Sequence, residues 1–242
     1  MAAHRLYIGD DILSDSADEI VLRGANAHRI VHVLRLQQGA ELSLIGNGRE
    51  CMAVVTERGV PVRLRVLSEL PPPETLLPYL TLYPALIRLN RFEWLIEKAT
   101  ELGVSAFVPV IAERSTVRAS EIGSARLERW RRIAIEAMEQ SRGLQPPLIA
   151  EPIAFGSALE QARGTRVVAW EGLHEAPPAA TLARVRAERP NTIALFIGPE
   201  GGFSEAEIGR ATAIEATLIG LGPRLLRAET AALVASALLL LE

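Results

Sequence analysis

The sequence predicts an α/β protein in two parts, a small and mostly β domain over residues 1–72 and an α/β domain over residues 73–242. The first part holds short alternating or continuous apolar segments, whereas the second alternates helical and strand-like segments. Between them stands Pro71–Pro73, which removes three backbone donors and stiffens the chain as a linker would. A chain of 242 residues can form one large or two modest domains. An ordinary loop inside one domain is the alternative interpretation of the prolines.

Composition excludes several classes of protein. Hydrophobic residues make up 49% and charged residues 23%, which excludes a largely disordered chain. Cys51 is the only cysteine, so neither a disulfide framework nor a cysteine-based zinc site can form within one chain, and we expect no metal. The net charge of −3 gives no global basic field for nucleic acid, although a local arginine patch would suffice for phosphate contacts.

The apolar segments do not indicate membrane insertion or export. The first residues lack the apolar core of a signal peptide. The longest apolar run, Ala231–Leu241, contains Ser236 and is shorter than the ~20 residues that a bilayer requires. We therefore expect a cytoplasmic protein that makes no membrane contact.

The N-terminal part is predicted to contain four strands and one helix. The strands are Arg5–Ile8, Glu41–Ile45, Cys51–Val55 and Val62–Leu67. Gly46–Gly48 and Gly59–Pro61 are typical of turns between strands. The helix covers about Asn26–Leu36. Together these elements indicate a small β domain, for which a barrel is one possible arrangement.

The C-terminal part begins with a helix, a strand and a longer helix. Asn90–Glu93 resembles a capping box, and the apolar residues that follow share one helical face as far as Leu102. Val104–Ile111 is predicted to be one strand. A helix over about Ser120–Gln140 comes next, because its apolar residues form a single stripe.

The rest of the chain continues the alternation of strands and helices. Arg166–Trp170 and Thr192–Ile197 are continuous apolar runs, as in a sheet covered on both faces. Ser204 and Glu207 predict the capped start of a helix. Ala216–Leu221 is the last predicted strand, and a helix from about Ala228 follows. This order favours a mainly parallel sheet.

Two loops are the candidates for ligand binding. Gly198–Ser204 and Leu221–Ala231 each leave the carboxyl end of a predicted strand, where open α/β sheets bind ligands. Their glycines would let the backbone approach a ligand closely. Tight turns that bind nothing are the alternative interpretation.

Common catalytic motifs are absent from the sequence. It contains no G-x-x-x-x-G-K-[ST], G-x-G-x-x-G, H-E-x-x-H or G-x-S-x-G. His28 and His32 have helical i, i+4 spacing, but a metal site would need further ligands. We interpret these two histidines as packing or RNA-facing residues.

Taken together, the two loops resemble the paired signature of the SPOUT methyltransferases, and within them the RsmE-type enzymes that make 3-methyluridine in bacterial 16S rRNA. The resemblance extends over nearly the whole chain. The stretches that carry it are Phe196–Ile208, Leu221–Ala231, His28–Arg35, Phe92–Val104, Glu113–Ser115 and Glu139–Ser141. One departure is Arg88–Arg91, where Asn90 stands in place of the family's usual acidic residue.

The resemblance implies a fold and an activity. The fold would be a PUA-like β-barrel followed by an α/β domain whose C-terminal part forms a trefoil knot. The activity would be S-adenosylmethionine-dependent methylation of N3 of uridine 1498 in 16S rRNA of the small ribosomal subunit, carried out by a homodimer. A SPOUT ribose 2′-O-methyltransferase and a non-catalytic ribosome-assembly protein that binds RNA are the alternatives.

The resemblance also implies roles for individual residues. Uracil N3 must lose its proton before it can accept a methyl group, and cations near the uracil oxygens would favour the anion. The candidate catalytic residues are Arg224, Arg227 and Glu229. The candidate cofactor-binding residues are Trp170, Glu171, Ile197, Gly198, Pro199, Glu200, Gly201, Gly202, Leu221, Gly222, Leu226, Thr230 and Ala231. The candidate phosphate contacts are Arg5, Arg29, Arg35, Arg114, Arg118 and Arg142. For the three candidate catalytic residues, the alternative is a structural set of ion pairs. For the candidate phosphate contacts, the alternative is that they are solvated surface arginines.

Overall fold

A computed structural model describes residues 4–9, 18–72, 77–173, 178–188 and 190–241. They fall into two compact units. The first contains the described residues up to 72 together with 138–145, and the second contains 77–137 and 146–241. The segment 138–145 belongs to the first unit although it lies far along the chain, which the sequence did not predict. Pro73 lies outside the described residues.

The first unit is built on a five-stranded mixed sheet with the order β1-β3-β4-β5-β2. Its strands are β1 (His4–Tyr7), β2 (Glu19–Leu22), β3 (Glu41–Gly46), β4 (Arg49–Glu57) and β5 (Val62–Leu70). β1 pairs with β3 in parallel, and the other pairs are antiparallel. Within the described residues β1 and β2 are the edges, so no pairing closes this sheet into the barrel that the resemblance implies.

Local sequence explains the hairpin of this sheet. Asn47 (φ 51°) and Gly48 (φ 68°) connect β3 to β4 with two left-handed residues, a conformation that Asn and Gly adopt readily. Alternate residues of β4, such as Cys51 and Ala53, face a core that includes Leu42 and Leu64.

The helix of the first unit is shorter and less regular than predicted. α1 (Gly24–His28) continues into a π-helical turn over Arg29–Val33. Arg35, with φ 54°, is left-handed and lies beyond the helix, so the prediction that the helix extends to Leu36 is wrong. A left-handed residue cannot continue a right-handed helix.

The second unit is built on a six-stranded parallel sheet with the order β13-β11-β12-β6-β7-β9. Its strands are β6 (Tyr79–Pro84), β7 (Ala106–Phe107), β9 (Leu148–Ile149), β11 (Thr165–Ala169), β12 (Thr192–Ile197) and β13 (Thr217–Ile219). Two more strands, β8 (Val110–Ile111) and β10 (Ile153–Ala154), pair with each other in parallel. The predicted parallel α/β architecture is confirmed.

Helices cover both faces of this sheet. They are α2 (Leu89–Glu101), α3 (Ser124–Gln140), α4 (Phe155–Gln161), α5 (Pro178–Ala187), α6 (Glu205–Ala213) and α7 (Ala228–Leu240). Along β12, Leu195 contributes to the core with α2 and α7, whereas Phe196 contributes to the core with α4 and α6. Both faces of β12 are therefore buried, which explains its continuous apolar run.

Two local predictions are wrong. Val104–Ile111 is not one strand, because Pro109 has no N–H to donate and separates β7 from β8. The capping box at Asn90 does not form, because α2 begins at Leu89 after Arg88, and no side chain caps it. The predicted capping box at Ser204 is confirmed: Ser204 and the side chain of Glu207 cap each other's backbone.

Candidate active site

A cavity of about 330 Å³ lies in the second unit, at the carboxyl ends of three adjacent strands. Three loops enclose it, following β11, β12 and β13 respectively. It is lined by Ala169, Trp170, Glu171, Ile197, Gly198, Pro199, Gly202, Leu221, Gly222, Pro223, Arg224, Leu225, Leu226, Ala228 and Ala231. Because the strands are parallel, their loops meet at one edge of the sheet, where α/β folds bind ligands. A mostly apolar lining with a few polar groups is typical of small-molecule sites.

The loop after β12 is shaped by a tight turn at Gly202. Its N–H donates to the carbonyl of Pro199 at 2.9 Å, and its φ is +70°. A Cβ added to Gly202 would lie 1.8 Å from Oε1 of Glu171. The left-handed backbone favours glycine here, and any larger residue would also have to displace the flexible side chain of Glu171.

The loop after β13 forms the opposite wall of the cavity. Gly222 has φ +101°, and a Cβ added to it would meet no atom within 4 Å, so space remains beside this residue. The apolar side chain of Leu225 is 84% exposed, and Leu226 is also partly exposed. Arg224 is exposed and lines the same cavity. An exposed leucine and an arginine at one cavity suit a ligand that has both apolar and charged parts.

Glu229 lies in the first turn of α7 and is buried, with 7% of its surface exposed. Its Oε1 is 3.8 Å from Nε of Arg91, and its Oε2 has no hydrogen-bond partner within the part of the chain that the structure describes. Nη1 of Arg91 is also 3.6 Å from Oε1 of Glu200. One guanidinium from α2 therefore lies between a loop carboxylate and a helix carboxylate.

The structure brings most of the predicted cofactor residues to the cavity wall. Those at the wall are Trp170, Glu171, Ile197, Gly198, Pro199, Gly202, Leu221, Gly222, Leu226 and Ala231. Glu200, Gly201 and Thr230 are not part of the lining, and Glu200 pairs with Arg91 instead. Of the candidate catalytic residues, Arg224 lines the cavity, whereas Arg227 and Glu229 do not.

Sequence reasoning missed three residues of the cavity wall and one arginine outside it. Pro223, Leu225 and Ala228 lie in a loop that was already a candidate, so their position in that loop was the available signal. Arg91 was not a candidate, and a single arginine on an amphipathic helix carries no signal of its role. Its contact with Glu229 appears only when α2 and α7 pack together.

Two of the candidate phosphate contacts are committed to ion pairs inside the first unit. Arg5 donates to both oxygens of Glu50 at 2.8 Å and to the carbonyls of Glu139 and Gly143. Arg29 donates to both oxygens of Glu139, at 2.9 and 2.5 Å, and the carboxylate of Glu139 is buried. These two arginines fasten the segment 138–145 to the sheet, so they are neither free phosphate contacts nor the solvated surface arginines of the alternative interpretation.

The other candidate phosphate contacts are exposed. Arg35 and Arg142 belong to the first unit, and both have a left-handed backbone, with φ 54° and 66°. Arg114 and Arg118 belong to the second unit. Nη1 of Arg114 donates to the carbonyl of Gly201 at 2.8 Å, so this arginine contacts the loop after β12.

Two negative findings apply to the described residues. Over 4–9, 18–72, 77–173, 178–188 and 190–241 there is no group of three or more His, Cys, Asp or Glu side chains that could hold a metal ion. In the same ranges no helix is long and apolar enough to cross a membrane.

A parallel α/β sheet with a cavity at the carboxyl ends of three adjacent strands defines the class of the protein: an α/β fold that binds a small ligand at the edge of its sheet. Residues 75–240 match the family model described as an RNA methyltransferase domain. The chain is 30% identical to the ribosomal RNA small subunit methyltransferase E of Bacillus subtilis, over 91% of this chain and 89% of that protein. It is 34% identical to the protein of the same name from Synechocystis, over 97% of this chain and 76% of that protein. The chain belongs to the ribosomal RNA small subunit methyltransferase E family.

Solved structures agree with this assignment. The ribosomal RNA small subunit methyltransferase E of Neisseria gonorrhoeae, bound to S-adenosylmethionine, matches with a TM-score of 0.83 and 29% identity. The match covers 97% of this chain and 96% of that chain. A methyltransferase from Legionella pneumophila, in complex with the same cofactor, matches with a TM-score of 0.79 and 27% identity, covering 99% of this chain and 97% of that chain. The two-unit α/β fold is thus that of solved methyltransferases.

Proposed function

We propose that the protein transfers a methyl group from S-adenosylmethionine to N3 of uridine 1498 in 16S rRNA of the small ribosomal subunit. One observation carries this proposal: the cavity at the carboxyl ends of β11, β12 and β13 is enclosed by the two loops that resemble the methyltransferase signature. The similarity to two structures that contain S-adenosylmethionine supports the choice of cofactor.

The cavity suits S-adenosylmethionine chemically. Leu221, Leu226 and Ala231 offer an apolar surface for the adenine ring. The backbone at Gly222 is open to the cavity, because an added Cβ would meet nothing there. Bound S-adenosylmethionine supplies a methyl group that is a good electrophile because it is attached to a positively charged sulfur. Correct placement of the acceptor would therefore provide much of the acceleration of methyl transfer.

Within this proposal, N3 of the uracil passes its proton to solvent water, and Arg224 stabilises the resulting anion, which accepts the methyl group. Its guanidinium belongs to the cavity wall and is exposed to an incoming nucleotide. A cation next to O2 or O4 of uracil stabilises the anion, and each unit by which the pKa falls is worth about 1.4 kcal/mol. Arg227 is exposed just before α7 and would act from further away. Glu229 is buried against Arg91, which favours a positioning role over proton transfer.

The proposal assigns different tasks to the two units. The first unit would bind RNA as a PUA-like domain, with Arg35 and Arg142 as its exposed cations. The second would bind cofactor and perform the chemistry. This assignment follows the sequence division at residue 72, with the addition of the segment 138–145 to the RNA-binding unit.

We further propose that the C-terminal part of the second unit is knotted and that the protein is a homodimer. After β13, at the edge of the sheet, the chain crosses the carboxyl edge and α7 joins the core beside β6 and α2. Val234 and Leu238 on α7 remain exposed one helical turn apart, and Leu241 directly after the helix is exposed too, which supports an interface on this helix.

Mass spectrometry of 16S rRNA tests the proposed function. A strain lacking the gene should lose 3-methyluridine at position 1498, and restoring the gene should return it. A missing ribose methyl group would instead support the 2′-O-methyltransferase. Unchanged rRNA modification, with a defect only in subunit assembly, would support the non-catalytic alternative.

A further inference from the structure

The turn over residues 112–115, which follows β8, holds the cofactor loop from outside the cavity. Nη1 of Arg114 donates to the carbonyl of Gly201 at 2.8 Å. The aliphatic part of Arg114 also packs on Gly201, since a Cβ added to that glycine would lie 3.3 Å from Cβ of Arg114. Gly201 is not part of the cavity lining, whereas the next residue, Gly202, is. One peptide unit therefore separates Arg114 from the cavity wall.

Hydrogen bonds fix the turn itself. The N–H of Ala112 donates to Oγ of Ser115 at 3.0 Å, and the N–H of Ser115 donates to the carbonyl of Ala112 at 3.0 Å. The N–H of Glu113 donates to Oε1 of Glu207 at 2.9 Å. The other oxygen of Glu207 accepts from the N–H of Ser204 at 2.8 Å, and Glu207 is buried. This buried carboxylate joins the turn to the end of the cofactor loop, so the two segments form one braced unit.

The guanidinium of Arg114 retains capacity for a second partner. An arginine has five N–H donors, and among the described residues Gly201 is the hydrogen-bond partner that the structure gives to this side chain. The residue is exposed, so its remaining donors face solvent. Arginine binds phosphate through paired N–H donors, and a protein with net charge −3 must attract RNA through local cations.

We propose that Arg114 couples RNA binding to cofactor binding, by holding a phosphate of the RNA with its free donors while it holds Gly201 with Nη1. The proposal rests on the proposed function. A phosphate that fixes the guanidinium also fixes the carbonyl of Gly201 and the adjoining wall at Gly202. Cofactor then binds to a loop that is already ordered, and the coupling is reciprocal. Arg114 is therefore a positioning residue for the cofactor as well as a contact for the RNA.

The second unit offers a control arginine that is not a candidate contact. Arg132 on α3 is exposed like Arg114, and among the described residues it makes no hydrogen bond to the loop after β12. Arg114→Gln and Arg132→Gln remove the same charge from the same unit. A purely electrostatic role in RNA binding would make the two variants alike, whereas the coupling role affects Arg114→Gln alone.

Equilibrium dialysis of labelled S-adenosylhomocysteine tests this, because the product binds without turnover. With the full-length protein and saturating unmethylated small subunits, we expect affinity for S-adenosylhomocysteine to rise about five- to tenfold. Arg114→Gln should bind it several-fold more weakly without subunits and show no rise with them. Arg132→Gln should keep both values, and Arg114→Lys should recover part of the affinity because its ammonium can still reach a carbonyl.

Each remaining outcome has a distinct meaning. An Arg114→Gln variant with normal affinity and a normal rise overturns the proposal, and so does a native protein whose affinity does not respond to subunits. A native protein that binds no S-adenosylhomocysteine at all contradicts the proposed function itself. Thermal unfolding shows whether each variant is folded. If Arg114→Gln is not folded, the affinity of Arg114→Lys with and without subunits tests the proposal instead.

Discussion

The buried carboxylate of Glu229 lies 3.8 Å from Nε of Arg91, and neither Arg224 nor Arg227 is recorded as its partner. The arginine beside Glu229 therefore comes from α2 and not from the loop that carries the other two candidate catalytic residues. Arg91 also lies 3.6 Å from Glu200. A single cation on α2 therefore pairs with the loop after β12 and with the start of α7. The arrangement holds two walls of the cavity with one ion cluster outside it.

Removing Arg91 should destabilise the second unit. Arg91→Met leaves the carboxylate of Glu229 buried without a cation, and we expect the free energy of unfolding to fall by about 2 kcal/mol. Adding Glu229→Gln should restore about 1 kcal/mol, because the neutral amide needs no counter-charge. Urea titrations of the two single variants and the double variant measure this coupling.

Arg88→Met is the matched control for Arg91. Arg88 is exposed, lies three residues earlier as the N-cap of α2 and forms no ion pair with another described residue, so its loss should leave stability unchanged. Strictly additive effects of Arg91→Met and Glu229→Gln would show that the two side chains do not interact.

The candidate catalytic arginines should differ in importance. Arg224 lines the cavity and Arg227 does not, so Arg224→Gln should reduce kcat on small subunits by about 100-fold, whereas Arg227→Gln should have a smaller effect. Affinity for S-adenosylmethionine, measured by calorimetry, should persist in both variants because the loop backbone is intact. Equal losses of kcat, or a normal kcat for Arg224→Gln, would contradict the assignment.

The sequence predicted two of the loops that enclose the cavity, because their signal is local. Glycines directly after continuous apolar strands indicate a ligand loop, and Gly198, Gly202 and Gly222 do line one cavity. Glu200 and Gly201 belong to the same motif but face outward, toward Arg91 and Arg114. Which residues of a loop face the cavity depends on the segments that pack against the loop. The sequence motif alone therefore does not indicate their orientation.

The fold was predictable where local chemistry decides it. Asn47–Gly48 specifies its hairpin, and Ser204 with Glu207 specifies the start of α6. β2 (Glu19–Leu22) was missed, because a four-residue segment carries too little periodicity. The placement of the segment 138–145 with the first unit was also missed, since it depends on a long-range contact between Arg29 and Glu139.

The ion pair between Arg5 and Glu50 predicts a pH dependence of stability. Hydrogen bonds from Arg5 lower the pKa of Glu50 below its ordinary value of 4.5. A carboxyl with a lowered pKa stabilises the fold fully above its unfolded value and loses this contribution as the pH falls through its folded value. Glu50→Gln should therefore cost about 2 kcal/mol of unfolding free energy at pH 7 and progressively less below pH 4.5.

Urea titrations at pH 7 and pH 3 measure this difference. The control is Glu69→Gln in the same unit, where Glu69 pairs with Arg49 on the exposed surface. Surface pairs contribute little, so this variant should have a small effect at either pH. A cost of Glu50→Gln that does not change with pH would show that the charge of Glu50 is not responsible.

The exposed apolar residues of α7 should be needed for the dimer. Val234 and Leu238 lie on one side of the helix at i and i+4, Leu241 directly follows its last residue, and each of the three is at least 36% exposed. Leu238→Arg would place a charge in an apolar interface and should give a monomer at micromolar concentration by light scattering. Leu67→Arg, at an exposed leucine of the first unit, is the control and should not change the mass. A native protein that is already monomeric would refute the dimer.

Arg35 should contribute to RNA binding through its charge alone. Its φ of 54° lies in the left-handed region that asparagine tolerates, so Arg35→Asn removes the cation with little backbone strain. Loss of one phosphate contact should weaken binding to small subunits and reduce the slope of log K against log salt by about 0.7–0.9. Affinity for S-adenosylmethionine should not change, since the cavity lies in the second unit.

Arg63→Gln is the control, because Glu19 and Glu57 already neutralise Arg63. Filter-binding titrations from 50 to 200 mM salt measure the slope, because over this range the affinity of a protein with many phosphate contacts falls by about 10³–10⁵. If both variants give the same slope, Arg35 makes no phosphate contact.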